Sequence, residues 1–421
     1  MAFEKLAGDP RKLQPLLPKF PGKVTMATAN PISDIPTPSA PPITGLLVCL
    51  APMPEEQLGS VLANLTSSFP AEDLVVATPD TFSTDSWPGI RFIPTPATNA
   101  SWTLTASDFM HAHQLASENE ARAILMLGPG SSSLRSSALR DLGNTVLDGS
   151  ADLAVPCYDL PARAGLINSA ILYPLSRALF ASRVRFPLAV DLGLSRRMAE
   201  RLAMGAQRFA ATNQSEALIW PINEAAAAGL LTREVDVGPR ATPQPSETDI
   251  NAILASVTGS LFADIDAKAA FWQRPRFLPP PRGPVPFAPS TDAAADVAPM
   301  LDAFRLAYTN LQEIWSLVLP PNSLLGLKRL YVTDGAEFRM QDGLWARIVF
   351  DFLIAYRLRT INRGHLLGAL IPLYLAWVAS HINITVSGTN PERHIEAVAA
   401  AFEADKPYLV SRWRWPDRFN P

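Results

Sequence analysis

The chain has 421 residues, of which 48% are hydrophobic and 18% are charged, and its formal net charge is -3. This length exceeds the size at which a single hydrophobic core stops growing, so we expect two domains. The hydrophobic fraction excludes a disordered chain. The small net charge leaves no broad electrostatic footprint for nucleic acid, so we do not expect nucleic acid as a partner.

Cysteine usage and hydropathy indicate the compartment. The two cysteines, Cys49 and Cys157, are too few for a disulfide framework, and the charged N-terminus lacks the apolar core of a secretory signal. The apolar run 366–380 is too short to span a bilayer and contains Pro372. We therefore expect a cytoplasmic protein with no membrane span.

The 40 prolines cluster and mark boundaries. Residues 1–42 read as a Pro-rich extended leader, and residues 271–295 as a Pro-rich connector. Between them, the apolar runs ITGLLVCL, DLVVAT, AILML and DLAVPCY have the length of strands and alternate with helix-like segments. This alternation predicts an α/β, Rossmann-like domain over 43–270 with a mainly parallel sheet.

Residues 296–421 predict a mostly helical part. One helix is expected over 344–358, where Arg347 and Asp351 are four residues apart and can meet. Another is expected from Pro391 to Lys406, with Pro407 ending it. The basic aromatic tail that begins at Arg412 is expected to dock on the body of the protein.

The segment GLINSAILYPLSRALFASRVRFPLAVDLGLSRRMAERL resembles a block of the glucosyl-3-phosphoglycerate synthase and mannosylglycerate synthase group of retaining glycosyltransferases. In that group a glycine turn leads into a helix with a Tyr-Pro-Leu core, and a following loop ends in an acidic residue. The matching positions are Gly165, Tyr173, Pro174, Leu175, Arg177, Pro187, Leu188 and Asp191. The stretches LWARIVFDFLIAYR, PLYLAW and FEADKPYLVSRWRW also resemble the end of such chains.

The resemblance implies a GT-A-like fold and the transfer of a sugar, with retention, from a nucleotide-diphosphate sugar to a small polar acceptor. It also implies a metal site that this chain has lost. The Asp-X-Asp motif expected after AILML is replaced by Gly128-Pro129-Gly130, an acidic residue before Trp220 by Leu218, and a metal-binding histidine by Thr242. We therefore expect no metal and no other cofactor, because hard cations need several oxygen ligands.

Asp191 is the one acidic position of the family pattern that persists, and the resemblance implies a catalytic role beside the sugar. The alternative is an aspartate that caps the helix of SRRMAERL. His111 and His113 lie two residues apart in a predicted helix, on different faces, so they are not expected to share a metal. His365, His381 and His394 are scattered along the chain.

Further candidates come from the loops that correspond to the donor and acceptor sites. For donor binding they are Asp80, Ser83, Asp85, Gly128, Gly130, Ser131, Arg163 and Gly165, and for the acceptor or phosphate Arg183, Arg185 and Arg240. Backbone amides after a glycine turn and guanidinium groups both bind phosphate. The alternatives are a surface turn, a glycine turn with a serine cap, and solvated surface charges.

Two functions remain open from the sequence. The chain is either a retaining glycosyltransferase that works without the usual metal, or a degenerate homologue that binds a ligand or a partner. Convergence of Arg163, Arg183, Arg185 and Arg240 with Asp191 in one cleft would favour the first. Self-association is left open.

Overall fold

The computed structural model describes residues 45–80, 82–95, 103–161, 163–212, 214, 217–240, 250–275 and 296–416. The predicted leader, 1–42, lies outside the described residues, as does most of the predicted connector, 276–295. The described residues belong to one compact unit.

A seven-stranded sheet organises the first half of the described chain, and its spatial order is β3-β2-β1-β4-β6-β5-β7. The strands are β1 (Leu46–Leu50), β2 (Leu74–Thr78), β3 (Arg91–Pro94), β4 (Ala123–Leu127), β5 (Leu153–Asp159), β6 (Asp191–Ser195) and β7 (Thr232–Pro239). All neighbours pair in parallel except β6, which runs antiparallel to both β4 and β5. The predicted α/β class with a mainly parallel sheet is confirmed.

The central strands are buried on both faces, as their uninterrupted apolar sequences predict. Every residue of β2 and β4 is buried, and β4 lies between β1 and β6 in the middle of the sheet. Helices of the first half cover both faces: α1 (Glu55–Thr66), α2 (Ala106–Glu118), α3 (Ser136–Leu147), α4 (Tyr173–Phe180), α5 (Arg196–Ala210) and α6 (Pro221–Ala228). They shield the central strands from water, whereas the edge strands β3 and β7 are partly exposed.

The second half of the described chain is helical. Its helices are α7 (Ile250–Ala267), α8 (Ala269–Trp272), α9 (Ala298–Asn310), α10 (Gln312–Val318), α11 (Pro321–Tyr331), α12 (Asp342–Leu358), α13 (Arg363–Val386) and α14 (Pro391–Arg414). They share one hydrophobic core with α4, whereas the sheet and α1, α2, α3 and α5 form another. The α4 helix therefore belongs to the α/β segment by sequence and to the helical core by packing.

Helix α14 is longer than its sequence predicts. It continues through Pro407 to Arg414, so the predicted end at Lys406 is wrong. Beyond the proline, Leu409 and Trp413 are buried, and Trp413 packs edge-on against Trp272 with ring centroids 4.9 Å apart. These contacts outweigh the local cost of a proline in a helix, and they confirm that the basic aromatic tail docks on the body.

The expected pairing of Arg347 with Asp351 is also wrong. Arg347 instead forms an ion pair with Asp405 of α14, with 3.1 Å between Nε and Oδ2. Asp351 is buried and pairs with Arg412, while the Tyr408 hydroxyl donates to it at 2.7 Å. Arg347 and Asp351 thus both face α14, because that helix supplies an acidic partner for the first and a basic partner for the second.

Helix α13 is the one helix in the described residues with the length and apolar character to cross a bilayer. Its 24 residues continue through Pro372 and extend past both ends of the predicted run, 366–380. Its most apolar window has a mean hydropathy of 1.5. Of that window, 61% is buried inside the protein. A core helix has the same composition, and the burial observed here accounts for it.

Charged residues join α4 to α14. The Arg177 side chain, on α4, donates to Glu403 at 2.8 Å and pairs with Glu396 at 2.5 Å, and the Tyr173 hydroxyl donates to Glu396 at 2.6 Å. Nearby, Arg185 donates to Glu392 at 2.9 Å. Arg177 and Arg185 are buried, so each needs its acidic partner to offset the loss of hydration.

We expect Arg177→Ala to lower the free energy of unfolding by about 3 kcal/mol, because it leaves Glu396 and Glu403 without their cation. Arg347→Ala is the matched control: it removes an arginine from an exposed ion pair with α14 and should cost less than about 1 kcal/mol. Urea denaturation of both variants measures the difference. Equal losses would contradict a special role for the joint between α4 and α14.

Candidate functional site

Four residues from four segments meet at the edge of the sheet where β1, β2, β4, β5 and β7 end. Gly128 follows β4, Tyr158 is the next-to-last residue of β5, and Arg240 follows β7. Because β6 is antiparallel, its first residue, Asp191, lies at the same edge, opposite Leu127. Ligands of open α/β sheets bind outside this edge, so it is the candidate functional site.

The Asp191 carboxylate is fully buried and surrounded by hydrogen-bond donors. Arg240 donates to both oxygens, from Nε at 2.8 Å and from a terminal nitrogen at 3.1 Å. The backbone amide of Gly128 donates at 3.1 Å and the Tyr158 hydroxyl at 3.0 Å. Four donors therefore occupy a carboxylate with 0% exposure, which leaves neither oxygen facing a ligand.

The guanidinium of Arg240 is held as tightly as the carboxylate. One terminal nitrogen also donates to the Pro129 carbonyl at 2.8 Å, and the residue is only 6% exposed. Burial lowers the pKa of Arg240, but the charge and hydrogen bonds of Asp191 more than offset this, and the net pKa is raised. Burial, followed by the charge of Asp191, raises the pKa of Tyr158 well above its usual value. At neutral pH the Arg240 guanidinium therefore stays charged and the Tyr158 hydroxyl stays protonated.

Gly128 stands where the resemblance places the first metal-binding carboxylate, and the packing there admits no side chain. A Cβ atom on Gly128 would lie 2.7 Å from Cβ of Val190 and 2.9 Å from its carbonyl oxygen. Contacts this short do not occur between real atoms without movement of the backbone. The residues here therefore do not fit the divalent metal that the sequence resemblance implies, because Val190 fills the space and Arg240 supplies the positive charge.

The loop after β4 is a glycine turn, as the simpler interpretation predicts. Gly130 has a φ of 79°, in the left-handed region that favours glycine. The expected serine cap is wrong, because α3 begins after Arg135 without a side-chain cap. Ser131 is buried and its hydroxyl has no hydrogen-bond partner within the described residues.

The helix-cap alternative for Asp191 is wrong. The cap of α5 is Ser195, whose hydroxyl oxygen accepts a hydrogen bond from the Met198 amide at 3.2 Å. Asp191 lies four residues earlier, at the start of β6, and its partners come from β5, β7 and the turn after β4.

The predicted nucleotide loop is placed beside β1. Asp80 accepts a hydrogen bond from the Met53 amide at 3.1 Å, so its carboxylate ties the loop after β2 to the loop after β1. Ser83 and Asp85 are exposed in the same segment. Asp80 therefore has a structural contact, and the other two face solvent.

The predicted arginines do not all converge. Arg240 meets Asp191, but Arg185 points to Glu392 of α14. Arg183 lines a groove with Thr232, which begins β7, at the edge opposite the site. Arg163 is half-buried in the loop after β5, near Gly165, whose φ of 64° requires the glycine. Arg163 and Arg183 each already have an interaction within the protein.

A narrow pocket lies beside the site, at the ends of β1, β2 and β4. Its walls include Ala51, Pro79, Thr103, His111 and Pro129. The cavity is ≈ 60 Å³, which holds a few water molecules and is small for an organic ligand. The Thr103 hydroxyl is buried without a hydrogen-bond partner among the described residues, so it is available to a ligand.

Sequence reasoning considered His111 only as a metal ligand and missed this pocket. Asp108, His111, Ala112 and Leu115 lie at helical spacing on one face of α2, and all four line it. That helical spacing is the feature of the sequence that could have predicted the pocket wall. The Asp108 carboxylate is engaged in the capping box of α2, where it accepts from the Thr105 amide at 2.7 Å.

A second missed cluster joins two of the scattered histidines. Nδ1 of His381 lies 2.7 Å from Nδ1 of His394, and Nε2 of His394 lies 3.2 Å from Asp342. The two rings stack beside Trp377 in the helical core. Burial, then the neighbouring charges of His394 and Arg185, lower the pKa of His381 to about 3. Nothing in the spacing of these residues along the chain predicts the pair.

Three further apolar residues belong to the hydrophobic core. Leu218 is buried, and Trp220 and Trp377 are core residues with 2% and 1% exposure. Within the described residues, no group of three His, Cys, Asp or Glu side chains is placed to hold a metal ion. Thr242 lies outside the described residues.

No family model matches the chain, and no curated protein matches it either. Among solved structures, similar folds include glucosyl-3-phosphoglycerate synthase from Mycobacterium tuberculosis in complex with phosphoglyceric acid, at 13% identity and a TM-score of 0.34. The likeness covers 53% of this chain and 79% of that one. The same enzyme with Mn²⁺, uridine-diphosphate-glucose and phosphoglyceric acid matches at 15% identity, with the same coverage and TM-score.

A mycobacterial protein matches at 12% identity and a TM-score of 0.34, over 52% of this chain and 74% of that one. At these identities and TM-scores, neither ligands nor residue roles carry over. The fold of the described residues is a seven-stranded mixed sheet followed by a helical part.

We expect Asp191→Ala to destabilise the protein by about 3–5 kcal/mol, because it leaves a buried guanidinium without its counter-ion. The double variant Asp191→Leu with Arg240→Met should be more stable than Asp191→Ala, since it leaves no buried charge unpaired. Urea denaturation measures both. A loss below about 1 kcal/mol for Asp191→Ala would instead indicate a carboxylate that faces solvent or ligand.

Introducing a carboxylate at position 128 should not create a metal site. Gly128→Asp should destabilise the protein by several kcal/mol, because its Cβ collides with Val190. It should also bind no Mn²⁺ in a calorimetric titration. Gly59→Ala is the control: its Cβ would meet nothing within 4 Å in α1, so stability should stay equal or rise slightly. A specific Mn²⁺ site in Gly128→Asp would overturn this interpretation.

Proposed function

We propose that the chain is a glycosyltransferase-like protein that binds a nucleotide without a divalent metal and does not transfer the sugar. The observation that carries the proposal is the closed ion pair between Asp191 and Arg240. The GT-A enzymes that the sequence resembles would carry out catalysis at this edge of the sheet, and here the edge is occupied by the chain's own charges.

Sugar transfer makes two demands at this position. Negative charge that develops on the leaving diphosphate must be offset, and the positive charge that develops at the sugar needs a nearby carboxylate. Arg240 is already neutralised by Asp191, and both oxygens of Asp191 already accept hydrogen bonds. A metal contributes several kcal/mol to such a reaction, and the space beside Gly128 has no room for its ligands.

Binding of a nucleotide requires fewer groups than sugar transfer does, and some of these groups are present. The pocket beside β1, β2 and β4 has an apolar wall for the face of a base and an unpartnered hydroxyl on Thr103 for its edge. In this proposal the diphosphate lies along the loop from Gly128 to Ser131, near Arg163. The small size of the cavity implies that only the edge of a base enters unless the walls move.

We expect no release of uridine diphosphate or guanosine diphosphate from the corresponding nucleotide sugars above the rate in buffer, with or without Mn²⁺. Calorimetry should show saturable binding of one of these nucleotides that chelation of metals does not change. Thr103→Val should weaken it about 2- to 10-fold through loss of one hydrogen bond. Thr309→Val, on the exposed side of α9, should leave binding unchanged.

Each part of the proposal can fail separately. If the protein turns over nucleotide sugars without metal, and Asp191→Asn abolishes this turnover, then the protein is a transferase and the proposal that it does not transfer the sugar is wrong. If the folded protein binds no nucleotide, the proposal that its ligand is a nucleotide is wrong. If binding depends on Mn²⁺, the proposal that no metal is needed is wrong.

A further inference from the structure

The helical half of the protein contains a groove of its own, far along the chain from the candidate site. It lies between the first turn of α11, the first turn of α12 and one face of α14, and we call it the helical groove. Its polar lining comprises Asn322, Ser323, Arg329, Gln341, Arg347 and Asp405. The cavity is ≈ 630 Å³, within the range of small-molecule sites, about 300–1,000 Å³.

Two helix N-termini open into this groove. Helices α11 and α12 have 11 and 17 residues, and neither begins with a side-chain cap. In α12, the Trp345 amide is the first to bond within the helix, to the Gln341 carbonyl, so the amide of Gly343 in the wall precedes that bond. Uncapped first-turn amides carry partial positive charge and bind anions.

The charged side chains of the groove leave one positive charge in excess. Arg347 pairs with Asp405 at 3.1 Å, so these two charges offset each other. Arg329 is exposed, and within the described part of the chain it forms no ion pair. It therefore gives the groove a cation whose guanidinium is available to an anionic ligand.

Ser323 gives an independent indication of a ligand. It is only 2% exposed, yet it belongs to the lining of the groove. Its hydroxyl forms no hydrogen bond with another described residue. A buried hydroxyl normally has a partner, so an orphan one at a groove wall indicates that the partner comes from outside the chain.

We propose that the helical groove binds the phosphate group of a small organic phosphate. A phosphate has three acceptor oxygens and two negative charges near neutral pH, which match Arg329, the Ser323 hydroxyl and the first-turn amides of α12. Leu325 and Leu344 give the groove an apolar wall for the organic part. The site is separate from the nucleotide site proposed above and does not depend on it.

Calorimetric titration of the full chain with phenyl phosphate at low ionic strength tests the proposal. We expect saturable binding with one site per chain. Arg329→Gln and Ser323→Ala should each weaken it, Arg329→Gln by about tenfold, because hydrogen bonds to charged groups are the stronger ones. Lys328→Gln removes the same charge one residue away, outside the groove lining, and should leave binding unchanged. Thr103→Val should also have no effect, because that hydroxyl lies in the other pocket.

Equal losses in Arg329→Gln and Lys328→Gln would reveal general surface attraction and overturn the site. Absence of saturation up to about 10 mM phenyl phosphate would overturn it as well. Melting temperatures of the variants control for folding, and because Arg329 is exposed, its variant keeps the test decisive even where Ser323→Ala proves unstable.

Discussion

The pairing of Asp191 with Arg240 is the interaction on which the candidate site depends. An ionised carboxylate with no exposure to water requires compensation from the protein, and Arg240, Tyr158 and the amide of Gly128 supply it. The antiparallel direction of β6 brings the carboxylate to the ligand-binding edge. The same pair joins the ends of β4, β5, β6 and β7. Any change in the position of one of these strand ends would therefore also move the groups of the candidate site.

A second set of buried charges performs a comparable task where α4 and the loop after it meet α14. The glutamates of α14 face Arg177 and Arg185, which precede them by more than 200 residues in the chain. Burying charges is costly, and hydrophobic residues of equal volume often serve stability as well. What ion pairs add is a specific position, since each glutamate satisfies one guanidinium in one register of the helix. This accounts for how the part of α14 before Pro407 keeps its position.

The sequence predicts those features of the fold that depend on local pattern. The apolar runs of β1, β2, β4 and β5 identify the sheet, and the helical spacing over 344–358 identifies most of α12. Features that depend on distant residues are not predictable in this way. The end of α14 is mispredicted because Trp272 and Asp351 hold the turns beyond Pro407. The partner of Asp191 is 49 residues away, and spacing gives no sign of it. The same holds for the contact of His381 with His394.

Gly128 and the pairing of Asp191 with Arg240 depend on each other. A cluster of carboxylates is stable only around a cation, because like charges close together in a buried place repel one another. Each additional carboxylate beside Asp191 would need a guanidinium of its own, and Arg240 can neutralise only one. Glycine at 128 places no carboxylate beside Asp191, and Val190 occupies the space that a side chain at 128 would need. The glycine and the buried ion pair are therefore two aspects of one arrangement, in which a fixed positive charge neutralises the one buried carboxylate.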